Sequence, residues 1–119
     1  VSVKEPIDML LLSNVFRSGV TSLVKTLSRN LASYGIRINN ILPGRFDTER
    51  VEQLDRIIAE SKGIGISEVR SSFFEQIPLS RYGKPEELGN LAAFLFSEKA
   101  SFITGVTIPV DGGMTKTVW

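Results

Sequence analysis

With 119 residues, 42% hydrophobic and 23% charged, the chain has the make-up of one globular domain or less. Its net charge of +1 argues against a broad field for nucleic acid or an anionic membrane. The absence of Cys and His excludes disulfides, thiolate or imidazole metal ligands and His-based triads from this chain.

No run of 18 apolar residues occurs, and the first residues lack the pattern of a signal peptide, so a cytoplasmic location is expected. Residues 1–9, with Pro6 and Asp8, read as the end of a strand running into a loop. The chain opens on Val1, in a segment that does not begin like a domain, which suggests a fragment.

Leu10 to Leu12 lead into a long helix. Phe16, Val20, Leu23, Val24, Leu27 and Leu31 recur every three or four positions and are expected to be buried, while Ser18, Ser22, Lys25 and Arg29 fall on another face. Gly35 stands where a residue of positive φ would end the helix. Arg37 to Leu42 is a β-branched run suited to a buried strand and is closed by Pro43-Gly44. A helix followed at once by a buried strand is half of a parallel crossover unit.

Arg45-Phe46-Asp47-Thr48 reads as a loop, and Val51, Leu54, Ile57 and Ile58 repeat with helical spacing. Gly63-Ile64-Gly65-Ile66 breaks that helix, and Ser67 is the expected N-cap of a second one carrying Val69, Phe73 and Phe74. Two short helices split by glycines just beyond a Pro-Gly suit a mobile lid, or a surface hairpin with no gating role. Ile77-Pro78-Leu79 is expected to be extended and Tyr82-Gly83-Lys84 to turn the chain. Pro85 suits the first position of a further helix, with Glu86 and Glu87 in its first turn and Leu88, Leu91, Ala92 and Leu95 inward. Val106 to Val110 reads as a strand whose Pro109 belongs at a sheet edge, ended by Asp111-Gly112-Gly113. Two such strands make no independent core, because a parallel sheet wants several strands and both faces covered.

Together, Tyr34-Gly35-Ile36-Arg37-Ile38-Asn39, Pro43-Gly44, Ile77-Pro78-Leu79, Arg81-Tyr82-Gly83, Pro85-Glu86-Glu87, Phe94-Leu95, Ser97, Ile103-Thr104-Gly105 and Val110-Asp111-Gly112-Gly113 resemble the C-terminal half of short-chain dehydrogenases/reductases. The resemblance is nearest to the 3-oxoacyl-acyl-carrier-protein reductase subgroup. It implies an α/β fold, the C-terminal part of a doubly wound Rossmann-type parallel sheet with helices on both faces. Residues 1–119 would then be the C-terminal half of one domain whose Gly-rich dinucleotide turn lies in an N-terminal half not present, and no G-x-G-x-x-G occurs here.

In that family a Tyr-x-x-x-Lys pair on the long helix donates the proton and holds the cofactor ribose. Lining up the long helix with the family's through Gly35 and Pro43-Gly44 puts Ser13 at the tyrosine position and Arg17 at the lysine position, with the family's upstream serine falling just before Val1. A phenol, with pKa about 10, becomes a usable acid beside a cation, whereas an aliphatic alcohol starts several units higher and reaches less far. Arg17 is a fixed donor fork for ribose hydroxyls or phosphate and a poor proton relay. Read without the family, Ser13 suits a helix cap and Arg17 a solvated helix face.

The resemblance further places Pro43, Gly44, Phe46 and Thr48 in the clamp on the nicotinamide carboxamide, against the plain reading of a loop with a Thr cap. It implies NAD(P)H as cofactor, a small carbonyl or acyl substrate, hydride transfer, and pairing into dimers or tetramers through the long helix and the final helix and strand. The missing Tyr and Lys leave a second expectation open, a catalytically silent relative acting as a binding or structural subunit.

Overall fold

A computed structural model describes residues 11–118 of the chain. The strand end expected over residues 1–9, Leu10 and Trp119 lie outside the described residues.

Helix α1, Leu11–Leu31, tightens into a 3₁₀ turn, Ala32–Tyr34, and stops at Gly35, whose φ of 73° lets its N–H return to the Ala32 carbonyl at 3.0 Å. Its expected inward face is covered only in part: Val24, Leu27 and Leu31 are half-buried, whereas Phe16, Val20 and Leu23 are 71%, 52% and 54% exposed. The polar contacts of the helix with the rest of the chain run through the stripe Thr21, Lys25 and Ser28. Asn40 Nδ2 donates to Thr21 Oγ1 at 3.1 Å, Lys25 Nζ donates to the Gly105 carbonyl, and Ser28 is buried. The physical reason is width, since two strands cannot roof a helix of six turns.

Strands β1, Asn40–Pro43, and β2, Thr107–Val110, pair in parallel, Asn40 opposite Thr107 through Pro43 opposite Val110. Both are shorter than expected. Ahead of β1, Ile38 N–H donates to Thr104 Oγ1 at 3.1 Å, and Asn39 uses its side chain to reach the Ile103 carbonyl and the Val106 N–H. Over Arg37 to Asn39 these side-chain bonds join one main-chain bond, from Gly105 N–H to the Ile38 carbonyl at 2.7 Å, in place of a regular ladder. The ladder uses Val106 and Val110 carbonyls, which turns Pro109 outward, where its missing N–H costs nothing.

Between the strands lie α2, Glu49–Lys62, α3, Ile66–Gln76, and α4, Pro85–Phe96, followed by a 3₁₀ turn, Glu98–Ala100. Thr48 caps α2, and Pro85 is the first residue of α4. The cap of α3 is Gly65, not Ser67: Glu68 reaches back so that its Oε2 accepts the Gly65 N–H at 2.8 Å. Ile77 to Leu79 is a turn rather than extended, with Ser80 N–H donating to the Ile77 carbonyl at 2.7 Å and Leu79 N–H to Gly112. Tyr82-Gly83 is conversely extended, because Gly83 bridges to Phe46. The buried core joins Leu42, Phe46, Ala59, Val69, Ile77, Tyr82, Leu95 and Ala100. It therefore sits where the carboxyl end of β1 meets α2, α3 and the chain leading to α4. Among the described residues no helix is long and apolar enough to cross a membrane.

Candidate functional site

The carboxyl end of β1 is closed by Gly44, whose N–H donates to the Val110 carbonyl at 2.9 Å. A Cβ at Gly44 would stand 2.6 Å from Asp111 Cα, so the close approach of the two strand ends demands glycine there. Two residues on, Phe46 buries its ring against Gly83, where a Cβ would come within 2.7 Å of the ring. The parallel bridge between them uses the Asp47 N–H and the Arg45 carbonyl, at 2.8 and 2.9 Å. In such a bridge the central residue's own amide and carbonyl face the opposite way, and those of Phe46 carry no hydrogen bond among the described residues. Thr48 Oγ1 accepts the Val51 N–H at 3.3 Å, which leaves the hydroxyl hydrogen free to donate.

On α1, Arg17 Nε donates to Ser13 Oγ at 2.9 Å, the natural reach of an i, i+4 pair. Arg17 also lines an open cleft of about 180 Å³ with Phe16, Val20, Asn40, Leu42 and Pro43. The fold thus brings Ser13, Arg17 and Pro43 to one place at the carboxyl end of β1. Phe46 lines a separate cleft of about 100 Å³ with Arg45, Arg81, Glu87 and Asp111, and Gly44 is turned toward Asp111.

One constellation escapes sequence reasoning. Asp55 is fully buried in α2, pairs with the Arg45 guanidinium, and accepts the Tyr82 hydroxyl hydrogen at 2.9 Å. The Arg45 guanidinium lies 3.6 Å from the centre of the Phe73 ring, and Phe74 meets Tyr82 edge to face at 5.1 Å. Arg70 bonds Asp47 at 2.8 Å and lies 4.8 Å from the Tyr82 ring. Burial, then the bond to Asp55, pushes the Tyr82 phenol above its ordinary pKa. The readable signal was the helical stripe Val51, Leu54, Asp55, Ile58, Ala59, in which a carboxylate occupies an apolar position. These contacts seat the α2 and α3 hairpin on the 44–48 loop.

Arg81 holds both Glu87 oxygens, at 2.8 and 2.6 Å, and Glu87 also accepts the Lys84 N–H at 2.7 Å. The Arg81 fork, then that amide, bring the Glu87 carboxyl down to about 2. Asp111 loses solvation, which alone would raise its pKa. The Thr115 hydroxyl and amide and the Gly113 amide outweigh that and hold it below the carboxylate range. Among the described residues no three Asp or Glu side chains gather as a metal site.

Residues 9–115 match the family described as enoyl-(acyl carrier protein) reductase. Glucose 1-dehydrogenase 2 of Bacillus subtilis is 41% identical over 99 residues, 83% of this chain and 34% of its own length. The 3-oxoacyl-acyl-carrier-protein reductase FabG of Staphylococcus epidermidis is 39% identical over 98 residues, 82% of this chain and 36% of its own. Among solved structures, L-sorbose reductase of Gluconobacter frateurii, complexed with NADPH and L-sorbose, superposes with a TM-score of 0.91 at 30% identity, over 99% of this chain and 45% of that one. An NADPH-bound short-chain oxidoreductase of Pseudomonas aeruginosa, described as containing an atypical catalytic center, gives 0.82 at 28% identity, over 98% of this chain and 44% of that one. The chain spans about a third of the length of the curated relatives it matches. The Rossmann-type architecture expected from the sequence is therefore shared along nearly its whole length with solved reductases. This chain belongs to the short-chain dehydrogenases/reductases.

Proposed function

We propose that residues 1–119 form the C-terminal half of a single domain that reduces a small carbonyl or acyl substrate with NAD(P)H, in the manner of 3-oxoacyl-acyl-carrier-protein reductases. The carrying observation is the pair of unused main-chain groups on Phe46, on the loop leaving the carboxyl end of β1. In open α/β sheets ligands sit in the crevice beyond that end. An amide and a carbonyl facing outward from one residue match the donor and acceptor of a carboxamide, so the loop fits a nicotinamide.

Phe46 would hold the carboxamide through its main chain and Thr48 would add its hydroxyl, while Arg17 would hold ribose hydroxyls or phosphate as a donor fork. Bound there, the cofactor supplies hydride to the carbonyl carbon. Ser13, steadied by the Arg17 Nε bond, would orient a water that relays a proton from bulk solvent to the carbonyl oxygen, since a serine hydroxyl is itself too weak an acid to supply it. Pro43 walls the cleft of Arg17 on the β1 side. A relative described as NADPH-bound with an atypical catalytic center supports cofactor binding without the usual centre.

In the full-length protein, quenching or enhancement of nicotinamide fluorescence on titration tests the reading, and no binding of NADH or NADPH would overturn it. Turnover that falls in Ser13→Ala supports the water-ordering role. Unchanged turnover removes Ser13 from the mechanism. The second reading, a silent binding or structural subunit, draws on the missing phenol and on an Arg17 committed to Ser13. It expects cofactor binding with no turnover on any carbonyl substrate.

The unroofed face of α1, with Val15, Phe16, Val20 and Leu23 exposed, supports assembly with the N-terminal half and with further copies. A monomeric full-length protein in sedimentation would count against the homo-oligomer.

A further inference from the structure

Asp55 is the only fully buried acid among the described residues and touches neither the cleft of Arg17 nor the outward groups of Phe46. Its two oxygens are divided. Oδ1 takes the Arg45 guanidinium, and Oδ2 takes the Tyr82 hydroxyl. Arg45 stands directly between Gly44, locked to Val110, and Phe46, locked to Gly83. The Gly83 bridge, through the Arg45 carbonyl and the Asp47 amide, turns the Phe46 amide and carbonyl outward. Beside the buried Phe46 ring, the Arg45 guanidinium is the side-chain anchor that holds this span against α2 and α3.

Arg45 is held there at some cost. Its Nε–H is buried and has no hydrogen-bond partner, while its planar group is stacked on Phe73 and committed to Asp55. A guanidinium free to choose would turn to satisfy that donor. The carboxylate and the ring dictate its position, and through it the path of the loop.

We infer that Asp55 is a positioning residue for the cofactor: by fixing Arg45 it aims the main-chain amide and carbonyl of Phe46 out of the fold, toward the nicotinamide. This rests on the cofactor reading above. The Tyr82 ring also faces the Arg45 guanidinium, at 5.3 Å, but its hydroxyl donates to Asp55, so removing the hydroxyl while keeping the ring lowers stability without releasing Arg45. The two roles separate experimentally.

The test uses the full-length protein, with the cofactor dissociation constant read by nicotinamide fluorescence and the thermal midpoint read without cofactor. Asp55→Asn and Arg45→Lys should each raise the dissociation constant about tenfold, and Tyr82→Phe should leave it within about twofold, although all three lower the midpoint. An unchanged constant in Asp55→Asn, or an equal rise in Tyr82→Phe, overturns the inference. Should Asp55→Asn fail to fold, Arg45→Lys against Tyr82→Phe decides by the same criterion. A wild-type protein that binds neither NADH nor NADPH sinks the cofactor reading itself, whereas binding that is indifferent to Arg45 and Asp55 sinks the positioning role alone.

Discussion

Lys25 Nζ donates to the Gly105 carbonyl at 3.1 Å, joining the middle of the long helix to the approach of β2 across 80 positions of chain. The contact is close because Gly105 also lies over the buried Ser28, with its φ at +69°. A Cβ at Gly105 would press into the Ser28 hydroxyl and sit in the left-handed region. Gly105→Ala is expected to lower unfolding free energy by about 1–3 kcal/mol, read from urea midpoints of the full-length protein. A midpoint equal to wild type would show that α1 does not rest on this segment.

Ile77 is 2% exposed and sits under Gly112, where a Cβ would meet its Cγ2 at 2.7 Å. Truncating it leaves a cavity between the turn after α3 and the tail after β2. Ile77→Ala should cost about 2–5 kcal/mol in chemical denaturation. A loss well under that range would mean the site collapses freely.

The Glu87 carboxyl titrates near 2 in the folded chain, against an ordinary value of 4.5. A folded pKa held below the unfolded one contributes stability that is complete above the unfolded value and lost as pH falls through the folded one. Glu87→Gln should therefore be less stable than wild type near neutral pH, with the gap closing between about pH 5 and about pH 2. Urea midpoints of both proteins across that range check it, and a gap that widened on acidification would have the wrong sign.

Ser13 and Arg17 stand four residues apart on one helix face, the spacing the family's acid and cation require. The double variant Ser13→Tyr, Arg17→Lys in the full-length protein should gain carbonyl reductase activity, or raise an existing rate by about 10²–10⁴-fold, the usual worth of a placed general acid. Steady-state oxidation of NADPH followed by absorbance is the readout. A folded, cofactor-binding double variant with no gain would show that the pocket has changed beyond these two positions.

Much of this protein was legible before any coordinates. The 3.6-residue spacing of Leu, Val and Phe, the β-branched runs ended by Pro43-Gly44 and Asp111-Gly112-Gly113, the cap at Thr48 and the start at Pro85 are local signals, each obeyed within one turn of where it is written. The order of motifs was enough to place the family. Tertiary structure decided what local pattern cannot carry. It left Phe16, Val20 and Leu23 bare because two strands cannot cover them, and it handed the polar contacts of the helix to Thr21, Lys25 and Ser28. It shortened β1 where Asn39 and Thr104 side chains, with a single main-chain bond from Gly105, stand in for a regular ladder. Above all it brought Arg45, Asp55, Phe73 and Tyr82 together from four stretches of chain. A buried charge is tolerable only where its partners converge, and convergence is a property of the folded chain.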